Sequence, residues 1–227
     1  MISIIIPTLN EEEGIAKVIC SIPEKIRQES ELIVVDASDD LTPVIAQKLG
    51  ATVLKEARKG KGWQMRQAVA KSKGDILVFL DGDGTDPAQY VPHLVKKLDN
   101  AQLVLGCRSL KKTQDPKMYQ YFKFWKFIAY PMNHMLGLNL SDPLAGFRAI
   151  RRTDWDTLNL QSNEFEIETE MNIRAIEEGF TIEQILIPNL KRAGGFGGSK
   201  FARNPTQWVK IYKMMADYQK KKMKSTV

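Results

Sequence analysis

Short apolar runs alternate along the first half of the chain with segments whose apolar residues recur at helical spacing. The runs are Ile2–Ile6, Leu32–Val35, Thr52–Leu54, Ile76–Leu80 and Gln102–Gly106. Unbroken runs of this length are typical of strands buried on both faces. Between the first two runs, Ile15, Val18, Ile19 and Ile22 follow an i, i+3, i+4, i+7 pattern, which predicts one buried helical face. Strands that alternate with helices predict an α/β fold with a mostly parallel central sheet flanked by helices.

Polar residues follow the predicted strands at the points where those strands end. They are Pro7–Glu13, Asp36–Asp40, Asp81–Asp83 and Arg108. In a parallel sheet all of these positions fall at one end, which we call the carboxyl edge, and ligands of such sheets bind beyond it. The pattern therefore predicts a ligand site built from several strand ends at once.

The pair Asp81 and Asp83 is the most informative of these strand ends. Two carboxylates separated by one glycine lie near one point, and the glycine lets a ligand approach the backbone. Oxygen ligands of this kind suit Mg²⁺ or Mn²⁺ held jointly by the protein and a diphosphate. The alternative is a polar turn, in which Asp86 caps a helix that begins at Pro87.

Two other segments predict helix starts with polar functions. Asn10 is expected to cap the first helix, with Glu13 reaching back to it. Gly60, Lys61 and Gly62 open a later helix, and glycines between lysines suit a backbone that bends around an anion there. The match to known phosphate-loop signatures is poor, so this prediction needs support from its neighbours.

The bulk composition narrows the class of partner. The chain has 227 residues, a net charge of +6 and a pI of about 9.2, which favours an anionic partner such as a nucleotide, a phospholipid or a nucleic acid. Cys20 and Cys107 give neither a disulfide framework nor metal-ligand spacing, and two histidines argue against a zinc enzyme. Because no apolar run approaches the roughly 18–20 residues of a membrane span, we expect a soluble or peripheral protein on the cytosolic side.

The second half of the chain departs from the alternating pattern and is rich in aromatic residues and lysines. One helical stripe there consists of Phe122, Trp125, Ile128, Ala129, Met132 and Leu136. The stripe predicts either a core helix or an interfacial helix with its apolar face in lipid. A last helix with Trp208, Ile211 and Met215 at helical spacing ends in a lysine-rich tail, which is either solvated or attracted to anionic lipid.

Five motifs stand in the order found in glycosyltransferase family 2. They are Ser3–Glu11, Val35–Asp40, Gly60–Arg66, Asp81–Asp83 and Asp142–Arg148. The chain resembles this family over roughly residues 1–205, and within it is most similar to dolichyl- or polyprenyl-phosphate mannose or glucose synthases. The resemblance implies one GT-A catalytic domain at 1–205, with a nucleotide-sugar-binding half at 1–108 and an acceptor-binding half at 109–205. Residues 206–227 would form a basic amphipathic helix or tail.

The resemblance also implies roles for individual residues. Those that would line the base and ribose site are Pro7, Asn10, Glu11 and Asp36. Those that would lie near the nucleotide are Lys61 and Arg66. Those that would face or clamp phosphate groups are Arg108, Arg148, Ser199 and Lys200. The reaction chemistry adds Arg192 as a cation that would help position a phosphate acceptor.

A divalent metal ion, Mg²⁺ or Mn²⁺, is the cofactor that the resemblance implies. Asp81 and Asp83 would hold it against the diphosphate. Thr85 stands where the synthases often carry a Gln, and it is a weaker ligand. Coordination is then expected to rest on Asp83 and water.

The reaction chemistry separates two classes of acceptor. Breaking a sugar–diphosphate bond develops negative charge on the leaving phosphate, which a divalent ion and arginines would stabilise. A lipid phosphate is already an anion at neutral pH and needs no base. A hydroxyl acceptor needs a general base, for which Asp142 is the candidate.

Three functions are compatible with these residues. The first is inverting transfer of mannose or glucose from a GDP- or UDP-sugar to dolichyl or polyprenyl phosphate. It would take place at the cytosolic face of a membrane, with anchorage from amphipathic segments or from a membrane-anchoring partner subunit. The second keeps the fold but uses a hydroxyl acceptor, namely a glycan, a polyol or a phosphoglycerate. The third is a non-catalytic basic binding protein, but no nucleic-acid motif is present and 27 acidic residues are interspersed, so nucleic acid is not expected as a partner.

Overall fold

A seven-stranded mixed sheet with helices on both faces forms the framework of the described chain. The computed structural model describes residues 1–58, 60–108, 129–188, 190–193 and 204–225. The strands are β1 (Ile2–Thr8), β2 (Ser30–Asp36), β3 (Thr52–Lys55), β4 (Ile76–Phe79), β5 (Leu103–Arg108), β6 (Arg148–Arg151) and β7 (Ile182–Ile187).

The strand order confirms the predicted α/β fold with a mostly parallel sheet. Across the sheet the order is β3-β2-β1-β4-β6-β5-β7, and β6 pairs antiparallel with both β4 and β5. The other pairs are parallel. The sequence pattern did not predict β6, because two of its four residues are arginines and it lacks an apolar run.

The centre of the sheet explains why its strands read as unbroken apolar runs. Ile5 of β1 pairs with Ile33 of β2 and with Phe79 of β4. Ile4 and Ile6 contribute to the core on one face of the sheet, whereas Ile5 contributes to the core on the other face. Since neighbouring residues of a strand point to opposite faces, a strand covered on both sides needs apolar residues throughout.

The helices cover the two faces of the sheet. They are α1 (Ile15–Cys20), α2 (Glu24–Gln28), α3 (Thr42–Lys48), α4 (Lys61–Lys71), α5 (Val91–Lys97), α6 (129–136), α7 (Arg152–Leu158), α8 (Ile167–Glu177) and α9 (Pro205–Ser225). A single 3₁₀ turn, Ala88–Tyr90, precedes α5 in the described chain.

The prediction that Asn10 caps the first helix is wrong. Helix α1 begins only at Ile15, after Gly14, and no side chain caps it. Asn10 has a φ of 52°, in the left-handed region that Asn tolerates better than most residues. Its backbone N–H donates to Ser38 Oγ at 2.7 Å, and its side-chain Oδ1 accepts from the N–H of Asp39 at 2.9 Å. Asn10 therefore ties the loop after β1 to the loop after β2.

A separate apolar cluster joins α6, α8 and α9. Ala129, Met132 and Leu136 are buried in it together with Ile211 and Met215. For these three α6 residues the core-helix interpretation is confirmed, while Phe122, Trp125 and Ile128 lie outside the described residues. In the ranges that the structure covers, no helix is both long and apolar enough to span a membrane.

Removing the buried apolar contact of α9 should destabilise the fold. Ile211 is 0% exposed, so Ile211→Ala should lower the free energy of unfolding by about 2–5 kcal/mol through lost burial and a residual cavity. Val209, two residues away, is 67% exposed, and Val209→Ala should change stability by no more than about 0.5 kcal/mol. Urea unfolding of both variants checks this, and equal losses would show that α9 is not packed as described.

Candidate active site

The carboxyl edge brings the predicted strand ends together, as expected. Strands β1, β2, β4 and β5 run parallel and end there. The antiparallel strand β6 enters the sheet from the same edge, because Arg148 at its start pairs with Phe79 near the end of β4. The turn at 142–146 therefore lies beside Asp81 and Arg108.

A buried lysine, Lys61, lies at the centre of this edge. Its Nζ is 2.5 Å from Asp81 Oδ1 and 2.6 Å from Glu168 Oε1, and the side chain is only 9% exposed. Burial lowers the pKa of Lys61, but the two carboxylates raise it more, and the net shift is upward. The ammonium group thus stays charged and joins α4 to the end of β4 and to the start of α8.

Glu168 is a site residue that the sequence reasoning missed. It belongs to a run of acidic residues at the start of α8, where the helix dipole explains some of the acids but not all, and nothing in the run singles out Glu168. Its position one helical turn before the buried Asn172 is the available signal, since both residues are buried on the same face of α8.

Gly146 lets the turn at 142–146 approach this ion-pair network. A Cβ atom at this position would lie 2.6 Å from Lys61 Nζ and 2.8 Å from Asp81 Oδ2. These distances are too short for carbon, so only glycine fits without displacing the charged groups.

Asp83 is held by its neighbours on both carboxylate oxygens. Its Oδ1 accepts hydrogen bonds from the Thr85 N–H at 2.9 Å and from the Thr85 hydroxyl at 2.6 Å. Its Oδ2 forms an ion pair with Arg192. The N–H of Ala193 donates to the Asp83 carbonyl at 3.0 Å, so the segment 190–193 lies against the acidic turn. Arg192 is thus at the site as predicted, whereas Thr85 orients Asp83 through hydrogen bonds.

Asp86 is part of the site, and the prediction that it caps a helix is wrong. Its Oδ2 accepts from the N–H of Asp81 at 2.8 Å, and the next helical turn starts only at Ala88. Burial, followed by the charges of Asp81 and Asp83, raises the pKa of Asp86 well above its usual value. The strand end therefore carries three mutually repelling carboxyl groups.

The donor set fits a divalent cation that is held partly by a substrate. Asp81 and Asp83 offer hard oxygen atoms, the kind that Mg²⁺ and Mn²⁺ prefer. Within the described ranges, however, no group of three or more His, Cys, Asp or Glu side chains can hold a metal ion. Mg²⁺ typically completes its coordination with substrate phosphates and water. Asp81 and Asp83 are the residues that would contribute the protein's share.

Asp142 and Arg108 form a further ion pair at the edge. Arg108 Nε donates to Asp142 Oδ2 at 2.7 Å, and Asp142 is 1% exposed. The other oxygen, Asp142 Oδ1, is buried and accepts no hydrogen bond from the described residues. A buried carboxylate oxygen without a donor is costly unless a ligand or water completes it. Asp142 therefore has one oxygen that orients Arg108 and one that is available.

The prediction that Arg148 faces the phosphate groups is wrong. It is completely buried, and its guanidinium donates to the carbonyls of Ala145 at 2.7 Å and Pro143 at 3.0 Å, and to Asn172 Oδ1 at 2.8 Å. Asn172 in turn donates to the Pro143 carbonyl at 2.7 Å. Arg148 and Asn172 thus fix the turn that carries Asp142 and Gly146.

The N-terminus of α4 is not an anion-binding loop. The N–H groups of Gly62 and Trp63 donate to the carbonyls of Glu164 and Asn163 at 3.2 and 2.9 Å. Gly62 is needed because a Cβ there would lie 2.4 Å from the Ser162 carbonyl oxygen. The glycines that suggested an anion site therefore serve close packing against the segment at 162–164.

Arg66, predicted near the nucleotide, lies on the same packed surface of α4. Its guanidinium donates to Ser162 O and, at 2.7 Å, to Asn163 Oδ1, and it lies 5.8 Å from the centre of the Trp63 ring. These contacts direct it to the 162–163 backbone.

The residues predicted to line the base and ribose site lie at the ends of β1 and β2 and in the loops that follow, where hydrogen bonds join the two segments. Pro7 pairs with Val35 near the ends of β1 and β2. Asp36 is completely buried, and it accepts from the Thr8 hydroxyl at 2.9 Å and from Lys55 Nζ at 3.1 Å. The Glu11 N–H donates to the Thr42 hydroxyl at 2.9 Å.

Gln64 is a second residue of this region that the sequence reasoning missed. Its Nε2 donates to the carbonyls of Thr8 and Val35 at 2.8 and 2.7 Å, which links α4 to the ends of β1 and β2. Ser199 and Lys200, predicted to clamp a phosphate, lie outside the described residues.

Comparisons with known proteins identify a family and individual proteins that are similar to this chain. The family model for glycosyl transferase family 2 matches residues 3–158. A dolichyl-phosphate hexose transferase of Haloferax volcanii is 29% identical over 85% of this chain and 84% of its own length. An undecaprenyl-phosphate mannosyltransferase of Micrococcus luteus is 28% identical over 90% of this chain and 92% of its own length.

A solved structure gives the same fold. Glucosyl-3-phosphoglycerate synthase of Mycobacterium tuberculosis, in complex with Mn²⁺, UDP-glucose and phosphoglyceric acid, superimposes with a TM-score of 0.67 at 27% identity. The match covers 85% of this chain and 71% of that one.

The raised pKa of Asp86 predicts how stability depends on pH. A carboxyl group with a raised folded-state pKa favours the folded state at low pH, and this contribution is lost as the pH rises through the folded-state pKa. Asp86→Asn keeps an oxygen for the Asp81 N–H and removes the charge. In metal-free buffer at pH 7.5 we expect Tm to rise by roughly 2–4 °C, the range that about 1 kcal/mol produces in a chain of this length.

Thermal melts of both proteins from about pH 4 to pH 8 measure this effect. The gain should shrink as the pH falls, because Asp86 then becomes neutral in the parent protein. Asp99→Asn, an exposed change at the other end of the sheet, is the matched control and should leave Tm unaltered. A constant Tm difference at all pH values would rule out ionisation of Asp86 as the cause.

Proposed function

The chain belongs to glycosyltransferase family 2, and we propose that it transfers a hexose from a nucleotide-diphosphate sugar to a dolichyl or polyprenyl phosphate. The predicted family and its GT-A fold are confirmed. The observation that carries the proposal is the carboxyl edge itself, where Asp81 and Asp83 lie among the cationic groups of Lys61, Arg108 and Arg192.

The relatives support a lipid phosphate as the acceptor. The two relatives described above are named for dolichyl phosphate and undecaprenyl phosphate, and each is matched over most of its length. Because such an acceptor is embedded in a bilayer, the chain would act as a peripheral protein at the cytosolic face of a membrane. The donor sugar would be mannose or glucose carried by GDP or UDP.

A divalent metal is part of this proposal. The related synthase binds Mn²⁺ together with UDP-glucose, and the oxygen atoms of Asp81 and Asp83 suit Mg²⁺ or Mn²⁺ here. When bound, the ion would neutralise negative charge on the leaving diphosphate. The protein's contribution is to fix the carboxylates: Thr85 orients Asp83, and Lys61 holds one oxygen of Asp81.

Cationic side chains would stabilise the leaving group and the acceptor together. Arg108 is held in place by its ion pair with Asp142, and Arg192 forms an ion pair with Asp83. Positive groups that are already oriented stabilise developing negative charge without a cost of reorganisation. A phosphate acceptor needs this charge and no base, so Asp142 would act by positioning Arg108.

A second acceptor class is favoured by one feature, the free oxygen of Asp142. If the acceptor is a hydroxyl compound, as phosphoglyceric acid is in the related structure, a general base must take up the hydroxyl proton. Asp142 Oδ1 is buried and accepts no hydrogen bond from the described residues, which suits that role.

Replacement of Asp142 distinguishes the two acceptor classes. Asp142→Asn keeps the shape of the side chain but removes the base and the charge that holds Arg108. With a polyprenyl phosphate we expect kcat to fall by less than about tenfold, whereas loss of a general base typically costs about 10²–10⁴-fold. Transfer assays with polyprenyl phosphate and with 3-phosphoglycerate measure the difference, and a nucleotide thermal shift equal to the parent's shows that the donor site is intact. Loss of all transfer to polyprenyl phosphate would count against a phosphate acceptor.

Replacement of Asp83 tests the metal and the donor site directly. A ligand that binds only the folded state raises Tm, so GDP or UDP with Mn²⁺ should stabilise the parent protein. Asp83→Asn should abolish the part of this shift that depends on Mn²⁺. Asp156→Asn, an exposed change on α7, should leave the shift unaltered. If neither nucleotide stabilises the parent protein in the presence of Mn²⁺ or Mg²⁺, the proposed donor site is wrong.

A further inference from the structure

Helix α9 has a second apolar strip on the side that faces away from the core. Ile211 and Met215 are buried against α6 and α8. Val209, Tyr212 and Met223 are 67%, 41% and 62% exposed. At 3.6 residues per turn these three residues fall in one outward strip that runs along the helix. Three large apolar side chains aligned on the surface of one helix are more than the scattered exposure normal for a soluble protein.

Lysines lie directly beside this strip. Lys213, Lys220 and Lys224 are exposed and fall at the neighbouring angular positions of the helix. Residues 206–227 contain six lysines and a single acidic residue, Asp217. The outward face of α9, defined by Val209, Tyr212, Lys213, Lys220, Met223 and Lys224, is therefore apolar along one side and positively charged along the other.

We propose that the outward face of α9 is a docking surface for a membrane that contains anionic lipid. Apolar side chains on such a helix enter the boundary between headgroups and acyl chains, and the lysines contact the headgroup phosphates. The negative potential of the cytosolic leaflet attracts lysines that lie near it. This inference rests on the proposed function, because only a lipid acceptor requires the enzyme to be at a bilayer.

The first turns of α9 lie next to the candidate active site. Gln207 Nε2 donates to Glu164 Oε2 at 2.7 Å, and Lys210 Nζ is 3.8 Å from Glu166 Oε1. The segment at 164–166 leads directly into α8, whose Glu168 pairs with Lys61. A bilayer that contacts the outward face of α9 would thus lie close to the carboxyl edge, where a lipid phosphate must enter.

Vesicle co-sedimentation of the whole chain tests the proposal. The parent protein should bind vesicles of phosphatidylglycerol and phosphatidylcholine, bind pure phosphatidylcholine much more weakly, and be released by added salt. The triple change Lys213→Gln, Lys220→Gln and Lys224→Gln should weaken binding to the anionic vesicles by about 100-fold. The double change Val209→Ser and Met223→Ser should weaken it at least about tenfold, because burial of apolar area also contributes.

Matched controls carry the same changes elsewhere on the surface. Lys25→Gln, Lys48→Gln and Lys96→Gln remove three exposed lysines, and Leu41→Ser with Val44→Ser removes two exposed apolar side chains. Both control variants should bind the vesicles like the parent protein. Thermal melts of all variants confirm that they remain folded.

Three results would overturn the proposal. The first is equal vesicle binding by the parent protein and by both outward-face variants, and the second is no binding by the parent protein. The third is a lipid-free dimer that becomes a monomer in the Val209→Ser and Met223→Ser variant, which would assign this face to a second copy of the chain. Transfer to a short, water-soluble prenyl phosphate without vesicles should be the same in all variants. This assay separates failure of membrane docking from failure of the proposed function.

Discussion

The buried ammonium group of Lys61 is the interaction on which the arrangement of the site depends. It bridges Asp81, at the end of a strand in the first half of the chain, and Glu168, at the start of a helix in the second half. Removing one partner of such a network leaves a buried charge without compensation, which is strongly destabilising. Gly146 closely approaches Lys61 and Asp81, and the backbone N–H groups of Gly62 and Trp63, next to Lys61, donate to the 163–164 carbonyls. The two halves of the chain are therefore joined at the place where the chemistry is proposed.

A second buried cation, Arg148, has a different task, although it lies only a few residues from the site. Its guanidinium is surrounded by backbone carbonyls and by Asn172, so it defines the shape of the turn that carries Asp142. Arginine suits this role because its planar group presents five donors in a fixed geometry. Two kinds of positive charge are therefore present: Lys61 and Arg148 hold the framework, whereas Arg108 and Arg192, paired with Asp142 and Asp83, are the cations that we propose for phosphate groups.

The sequence was sufficient to predict the alternating strands and the carboxyl edge, because these depend on local runs and on a rule that holds for parallel sheets. It was not sufficient to predict which charged residues are buried. Glu168 is indistinguishable by type from its neighbouring acids, and only the long-range contact with Lys61 separates it from them. Gly60 and Gly62 suggested a phosphate loop, but both glycines are needed because the backbone closely approaches protein carbonyl groups. The sequence alone does not distinguish a glycine required for that approach from one required for an anion. Asn is a typical helix-capping residue, but Asn10 has a left-handed backbone conformation, and its side chain joins two loops instead.

The charge balance of the carboxyl edge bears on how a donor would bind. Around the acidic turn after β4 and the turn at 142–146, the acidic groups Asp81, Asp83, Asp86, Asp142 and Glu168 lie among the cations Lys61, Arg108, Arg148 and Arg192. Burial, followed by the charges of Asp81 and Asp83, raises the pKa of Asp86, so additional negative charge is disfavoured beside the acidic turn. Entry of a diphosphate alone into this partly buried region would be unfavourable, because it would add negative charge beside these carboxylates. A divalent cation entering with the diphosphate would remove most of that cost. On the proposed function, Asp81 and Asp83 would then share the cation with the phosphate oxygens of the donor.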